Sequence, residues 1–308
     1  MSAVSGEFGF IDWIRKQTAA DPRVVLGPGD DTAILRLATD TSCLATTDML
    51  LEGSCFLRDA GGRAIGRKAM AVNLSDMAAM AGRPTAALVC VGLPRDGGRT
   101  LAEELFLGLH EMAEAFDTAI VGGDTNTWRG PLTISVTLLG EATPRGAVRR
   151  SGAKSGDWLM VTGPLGGSIL GKHLTFTPRV HEALRLHELV DLHAMIDISD
   201  GLAADLHHIC QESGVGAELD ASAIPISEDA RKLTDGHSPL LHALGDGEDF
   251  ELLFAVDPSA GRELLATQPI SGLTFACVGR CIDAGIWLNR NGQREALPPL
   301  GYVHEMTD

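Results

Sequence analysis

The sequence predicts an α+β (mixed α/β) protein of two domains, and three observations predict it. At 308 residues the chain exceeds what one hydrophobic core usually spans, so two domains of about 150 residues each follow. Its first half alternates short apolar runs with glycine-aspartate turns and carries two longer stretches of helical spacing, a mixture that has to pack in layers. Around Thr143-Pro144-Arg145-Gly146 and Ser151-Gly152-Ala153-Lys154-Ser155-Gly156 the chain turns small, polar and basic, which sets the boundary between domains at 1–145 and 150–308.

In chain order, an amphipathic stretch runs from Phe10 to Lys16. The runs Val24-Val25-Leu26, Cys43-Leu44-Ala45, Ala86 to Val91, Ala119-Ile120-Val121 and Leu132 to Leu139 read as strands. Between them, Ala64 to Ala81 and Leu101 to Ala115 space their apolar residues as helices do and contain no proline. The second domain opens with the strand Trp158-Leu159-Met160-Val161, continues with a helix over Leu202 to Glu212, and returns to strands near Phe250 to Val256 and Phe275 to Val278. No internal repeat or low-complexity tract is found.

A formal net charge of −16 repels nucleic-acid phosphate and anionic lipid, and no basic stripe offsets it. An acidic protein still binds phosphorylated ligands when divalent cations stand between its carboxylates and the phosphates. The six cysteines, Cys43, Cys55, Cys90, Cys210, Cys277 and Cys281, form no CxxC pair and read as reduced, mostly buried thiols of a cytoplasmic protein, with no zinc site expected. No apolar run reaches the ~20 residues of a membrane span, and no signal-peptide core is found.

Acidic residues recur in turns of glycine, serine or threonine that directly follow an apolar strand. The instances are Gly27-Pro28-Gly29-Asp30-Asp31, Thr46-Thr47-Asp48, Gly122-Gly123-Asp124-Thr125, Ile196-Asp197-Ile198-Ser199-Asp200-Gly201 and Gly245-Asp246-Gly247-Glu248-Asp249. Each alone reads as an Asx-turn or a helix N-cap, positions that Asp favours intrinsically; their recurrence reads as a shared site. Asp76 differs, because it falls in line with Ile65, Ala69 and Val72 on the apolar face of the first helix, unless it or Ser75 caps a new helical turn. Carboxylates buried together repel and take up protons unless cations neutralise them. Oxygen-only donors, without histidine or cysteine, select Mg²⁺ or Mn²⁺.

Two glycine-rich stretches resemble phosphate-binding loops and are set aside. Gly166-Gly167-Ser168-Ile169-Leu170-Gly171-Lys172-His173 nearly spells a P-loop, but His173 stands where Ser or Thr would hold magnesium. Gly27-x-Gly29 lacks the third glycine of a dinucleotide fingerprint and runs into two acids. Lys68 is read as a helix-surface or phosphate-side charge.

Gly6-Glu7-Phe8, Gly27-Pro28-Gly29-Asp30-Asp31, Thr46-Thr47-Asp48, Lys68-Ala69-Met70-Ala71-Val72-Asn73-Leu74-Ser75-Asp76, Gly122-Gly123-Asp124-Thr125, Arg150-Ser151-Gly152-Ala153-Lys154, Asp197-Ile198-Ser199-Asp200-Gly201-Leu202 and Gly247-Glu248-Asp249-Phe250-Glu251 occur in one order along nearly the whole chain. In these motifs the chain resembles the thiamine-monophosphate kinases, within the superfamily of aminoimidazole ribonucleotide synthetase, selenophosphate synthetase and a hydrogenase maturation protein. The resemblance implies Asp31, Thr46, Thr47, Asp48, Asp76, Asp124 and Asp197 as magnesium ligands, with Asp200 on a further ion. It implies Gly123, Asp124, Arg150 and Ser199 as ATP contacts, and Cys55, Glu248 and Tyr302 as contacts to thiamine phosphate. Cys55 stands where a histidine is common, Phe116 where a tyrosine often lines the nucleotide site, and the segment 171–180 is short.

The same resemblance implies a homodimer formed through the N-terminal sheet and a C-terminal α+β domain. It implies in-line transfer of the ATP γ-phosphoryl group to thiamine monophosphate, assisted by several Mg²⁺ ions and without a protein nucleophile, since the acceptor phosphate is already largely anionic near neutral pH. The alternatives are a sister phosphotransferase with another acceptor, against which the absence of a reactive N-terminal cysteine loop weighs for selenophosphate synthetase, and a non-enzymatic nucleotide-binding protein.

Overall fold

The computed structural model describes residues 13–14, 16–17, 20–26 and 34–302, and the expected magnesium ligand Asp31 lies outside the described residues. The chain forms two compact units. One takes the described residues up to Met77 together with Gly82–Gly146, the other Ala78–Ala81 together with the described residues from Ala147 onward.

In the first unit a short ribbon pairs β1 (Val24–Leu26) with β2 (Ile34–Leu35). The main sheet is built from β3 (Cys43–Leu51), β4 (Arg83–Pro94), β5 (Ala119–Trp128) and β6 (Thr133–Glu141), in the order β3-β6-β4-β5. All its pairings are antiparallel except β4 with β5. Parallel neighbours need a crossover, supplied here by helix α2 (Gly98–Ala115). Helix α1 (Gly62–Ala79) joins β3 to β4. β6 shows why the sheet is one-sided: Ile134, Val136 and Leu138 are buried while Thr133, Ser135 and Thr137 between them are partly exposed. Ile65, Ala69, Met70, Leu74 and Met77 form the buried stripe of α1. That helix meets α2 backbone to backbone: a Cβ at Gly66 would lie 2.1 Å from the Leu105 carbonyl oxygen, and one at Gly108 would lie 2.0 Å from that of Arg63.

Two of the acidic motifs depart from the turns expected of them. Thr46-Thr47-Asp48 lies inside β3, and Gly122-Gly123-Asp124-Thr125 lies inside β5. In the first, β-branched threonines and the apolar Met49-Leu50-Leu51 carry the strand past the acid. In the second, the ladder with β4 continues as far as Trp128. Helix α1 runs unbroken through Ser75 and Asp76, so neither caps a new turn.

The second unit has a seven-stranded sheet of β7 (Trp158–Val161), β8 (Ala194–Asp197), β9 (Gly216–Asp220), β10 (Leu252–Val256), β11 (Ala276–Ile282), β12 (Ile286–Arg290) and β13 (Gln293–Ala296). Their order is β13-β12-β9-β11-β7-β10-β8, with β12 and β9 the parallel pair. Helices α3 (Val180–Leu189), α4 (Leu202–Ser213), α5 (Glu228–Lys232), α6 (Pro239–Gly245) and α7 (Pro258–Thr267) accompany it. All five residues of β10 are buried, as a central strand with both faces covered requires. Leu159, Val161, Ile196, Leu206, Ile209, Leu253 and Val278 belong to the core. The acidic motif beginning at Gly245 follows helix α6 rather than a strand, which corrects the fifth expected strand-end turn.

Candidate functional site

In the first unit, Thr46 and Asp48 stand two residues apart on β3 and so share the sheet face that α1 packs on. Asp76 reaches them from the last turns of α1, and the Thr46 hydroxyl donates to Asp76 Oδ2 at 2.5 Å. The Asp48 backbone N–H donates to Asn73 Oδ1 at 3.1 Å, and the Asn73 amide in turn donates to the Ala69 carbonyl one helical turn back. Asn73 thus ties the strand to the helix, a role the sequence motif contained but did not announce. Burial, together with the charge of Asp76, pushes the Asp48 carboxyl up to about 7. These oxygen donors form a half-buried anionic cluster that fits a hard dication.

Other expected ligands lie elsewhere in that unit. Thr47 points to the opposite face, where its hydroxyl donates to the Val136 carbonyl at 3.1 Å. Asp124 is exposed on β5, three strands from β3 in the sheet order, roughly 14 Å at the usual interstrand spacing. Gly123 beside it has φ +151°, and a Cβ there would sit 1.8 Å from the Val89 carbonyl oxygen, so the sheet itself demands glycine. Lys68 is fully buried and donates to the Cys55 carbonyl at 2.5 Å, which corrects its reading as a surface or phosphate-side charge. It belongs to the apolar stripe of α1, and its ammonium is satisfied by fixing the loop that carries Cys55. Phe116 is buried at the end of α2.

The second unit gathers another set of candidates. Asp197 closes β8 and is buried. Beyond it the Ser199 carbonyl accepts from the Glu248 N–H at 2.7 Å, and the Asp200 carbonyl accepts from the Tyr302 N–H at 3.1 Å. Segments distant in the chain therefore bring Ser199, Asp200, Glu248 and Tyr302 to one end of β8. Glu248 is held at φ +63°, and Tyr302 is exposed. The loop is fixed from below by Asp205, whose Oδ2 accepts the N–H groups of Ser199, Asp200 and Gly201 at 3.0–3.1 Å. Burial and the charge of Asp200 raise the Asp205 carboxyl to about 7. Sequence reasoning missed Asp205; its signal was an acid in the first turn of a helix after Ser-Asp-Gly. Arg150 is placed by its backbone: its carbonyl accepts from the Ser213 hydroxyl at the end of α4, and the carbonyl of the preceding Arg149 accepts from the Met195 N–H on β8.

The near P-loop is occupied by carboxylates. The N–H groups of Gly166 and Gly167 donate to Asp249 and Asp246 at 2.7 and 2.8 Å, and Lys172 Nζ donates to Glu251 at 3.0 Å. Donors that would cradle phosphate in a P-loop are therefore already engaged. Lys172→Ala is expected to leave ATP affinity within a few-fold of the parent while lowering stability by about 1–3 kcal/mol, because buried acids lose a cation. An ATP titration by calorimetry showing a loss of about a hundredfold would make this loop the phosphate site.

Comparison with known proteins agrees with this architecture. Residues 29–142 match the N-terminal domain of AIR synthase related proteins, and residues 146–286 match the C-terminal domain. The thiamine-monophosphate kinase of Rhodopirellula baltica is 40% identical, covering 98% of each chain. The crystal structure of the Stenotrophomonas maltophilia thiamine-monophosphate kinase superposes with a TM-score of 0.82 at 33% identity, over 94% of this chain and 98% of that one. AaThiL complexed with AMPPCP and TMP gives 0.76 at 31% identity, over 97% of both chains. The chain belongs to the AIR synthase related proteins and, within them, to the thiamine-monophosphate kinase family.

Proposed function

We propose that this chain transfers the γ-phosphoryl group of ATP to the phosphate of thiamine monophosphate, giving thiamine diphosphate and ADP. The observation that carries the reading is the Thr46, Asp48 and Asp76 cluster in a member of this family: two carboxylates crowded at a half-buried, oxygen-only site. The relative solved with AMPPCP and TMP supports the pair of ligands.

Thr46, Asp48 and Asp76 would hold Mg²⁺; the family motifs also assign Asp31, Asp124, Asp197 and Asp200 to magnesium, and Thr47, whose hydroxyl lies on the opposite face, is not placed with them. When bound, Mg²⁺ neutralises phosphate charge and orients the transferring group. The protein's own part is positioning. Asn73 fixes Asp48 against α1, Asp205 fixes the loop of Ser199 and Asp200, and the N–H bonds of Glu248 and Tyr302 hold those two residues beside it. Gly123, Asp124, Arg150 and Ser199 are assigned to ATP, and Cys55, Glu248 and Tyr302 to the acceptor. No covalent intermediate is needed, since the acceptor phosphate is itself the nucleophile.

Residues 1–145 are assigned as the ATP, metal and dimerisation domain, and residues 150–308 as the second domain. A homodimer through the N-terminal sheet is supported by that unit's exposed apolar side chains, Met49, Leu51, Leu88 and Trp128. The six cysteines are free, which supports a cytoplasmic setting, but only Cys210 and Cys281 are buried, which corrects the expectation that most would be. Among the described residues no helix is long and apolar enough to cross a membrane.

Thiamine monophosphate is expected to stimulate ADP formation only with Mg²⁺ present, and free thiamine is expected not to. A coupled ADP assay over a panel of phosphorylated acceptors checks this. Equal turnover with unphosphorylated thiamine, or a preference for another acceptor, would overturn the assignment.

A further inference from the structure

A second cluster of ligand-capable side chains lies outside the magnesium candidates and shares only Asp246 with the near P-loop. The loop between α5 and α6 carries Asp235 and His237, α6 carries His242, and Asp246 follows α6 directly. Donor atoms of Asp235, His237 and His242 all lie within 4.8 Å of one another. The His242 ring is buried, with Nδ1 at 3.1 Å from both carboxylate oxygens of Asp246 and Nε2 at 3.2 Å from Asp235 Oδ1.

Both ring nitrogens of His242 therefore face carboxylate oxygen. The contact with Asp246 places a proton on Nδ1. A neutral ring would then turn its Nε2 lone pair on the Asp235 carboxylate, two acceptors at hydrogen-bond distance with nothing positive between them. Either a second proton stands there or a metal ion that both atoms ligate. The His237 ring lies 5.7 Å from that of His242, and its Nδ1 is 3.9 Å from Asp235 Oδ2.

We propose that Asp235, His237 and His242 form a binding site for a transition-metal dication, with Zn²⁺ favoured over Mg²⁺, and that Asp246 orients His242 within it. Two imidazoles and a carboxylate are a borderline-soft donor set that suits zinc, in contrast to the oxygen-only cluster at Asp48 and Asp76. A carboxylate behind a ligating histidine is the usual outer partner, fixing the tautomer and raising the basicity of the ligating nitrogen. Tetrahedral zinc at about 2.0–2.1 Å separates its donors by roughly 3.3 Å, close to the observed spacing of His242 and Asp235. His237 is on the loop and exposed, so its side chain can turn toward the ion. The site has a structural consequence, because Asp246 Oδ2 also accepts the Gly167 N–H at 2.8 Å and Asp246 lies just before Glu248. An ion on His242 would stiffen the anchor of both segments.

The test uses the whole 308-residue chain stripped of metal, in excess Mg²⁺ to saturate the carboxylate cluster, with Co²⁺ as a spectroscopic probe and Zn²⁺ measured by competition with a chromogenic chelator. The parent is expected to bind both, Co²⁺ giving the visible d–d bands of a low-coordinate nitrogen and oxygen site. Asp246→Asn should weaken binding by about 10–100-fold, and His237→Ala by at least about a hundredfold. The melting temperature of metal-free His237→Ala should match the parent, since the side chain is exposed. Thiolate-type absorption, absence of the bands, or unchanged Zn²⁺ affinity in His237→Ala would overturn the proposal and leave His242 doubly protonated between two aspartates.

Discussion

Asp76→Asn is expected to lower phosphotransfer more than about a hundredfold and, in the metal-free protein, to raise the melting temperature. Asparagine preserves the shape and the acceptor that Thr46 reaches, but it removes a charge beside Asp48. In the parent, burial and the Asp76 charge hold the Asp48 carboxyl at about 7 against an ordinary 3.8. The folded state thus binds a proton that the unfolded state has released. The Asp48 contribution to stability therefore falls as pH rises from about 4 to about 7 and is flat on either side. Neutralising Asp76 leaves burial as the remaining cause, so the upper end of that window moves down. The variant's advantage should be absent below about pH 4 and reach roughly 0.5–2 kcal/mol above pH 7. With Mg²⁺ and nucleotide present the order should reverse, because the parent alone gains the full binding free energy of its ligands. Melting curves across pH, with and without Mg²⁺, check each part. Coincident curves at pH 8 together with retained turnover would make Asp76 a purely structural residue.

The Asp76 cluster was legible in the sequence because helical spacing put an acid in line with Ile65, Ala69 and Val72, and burial in α1 follows that line. The same spacing holds Lys68, three residues beyond Ile65 and four before Val72. Lysine is so seldom buried that residue type points away from this position. A carbonyl acceptor from the Cys55 loop, invisible in sequence, is what makes its burial tolerable. The long strands β3 to β6 were found but cut short, since an acid or a glycine pair looks like a turn until its strand partners are known. Once β6 pairs with β3 across nine residues, Thr46 to Asp48 have no freedom to turn. Helices α3, α5, α6 and α7 are 10, 5, 7 and 10 residues long, too short for periodicity alone to separate from loops. The meeting of Ser199 and Asp200 with Glu248 and Tyr302 rests on backbone bonds across 49 and 102 residues. Local pattern carries no trace of such pairings, whereas the family motifs named the residues without their contacts.

Arg179→Ala should be among the most damaging substitutions to stability in the second unit, at roughly 3–5 kcal/mol. Its guanidinium grips Glu251 through Nε and Nη2, both at 2.9 Å, while Lys172 donates at 3.0 Å and the Thr162 hydroxyl at 2.8 Å. Glu251 itself is buried, and Thr162 Oγ1 accepts the Leu252 N–H at 2.9 Å, so the network closes the ends of β7 and β10 onto each other. Burial by itself would raise the Glu251 carboxyl, but Arg179 and Lys172 outweigh it and hold the group below its usual range. In the parent, that stabilisation is present above the unfolded value of about 4.5 and is lost as pH falls through the lower folded value. Without Arg179 the dominant remaining cause is burial, so the carboxyl moves above its ordinary value and folding takes up a proton instead. Relative to the parent, the variant should then gain stability as pH falls toward 4, and the gap between them should narrow from its maximum at neutral pH. Urea denaturation at pH 7 and pH 4 measures both gaps. Because Glu251 continues directly from the Glu248 segment, the variant should also raise KM for thiamine monophosphate more than for ATP. An equal gap at the two pH values, or one below about 1 kcal/mol at pH 7, would mean that Lys172 and Thr162 alone satisfy the buried carboxylate.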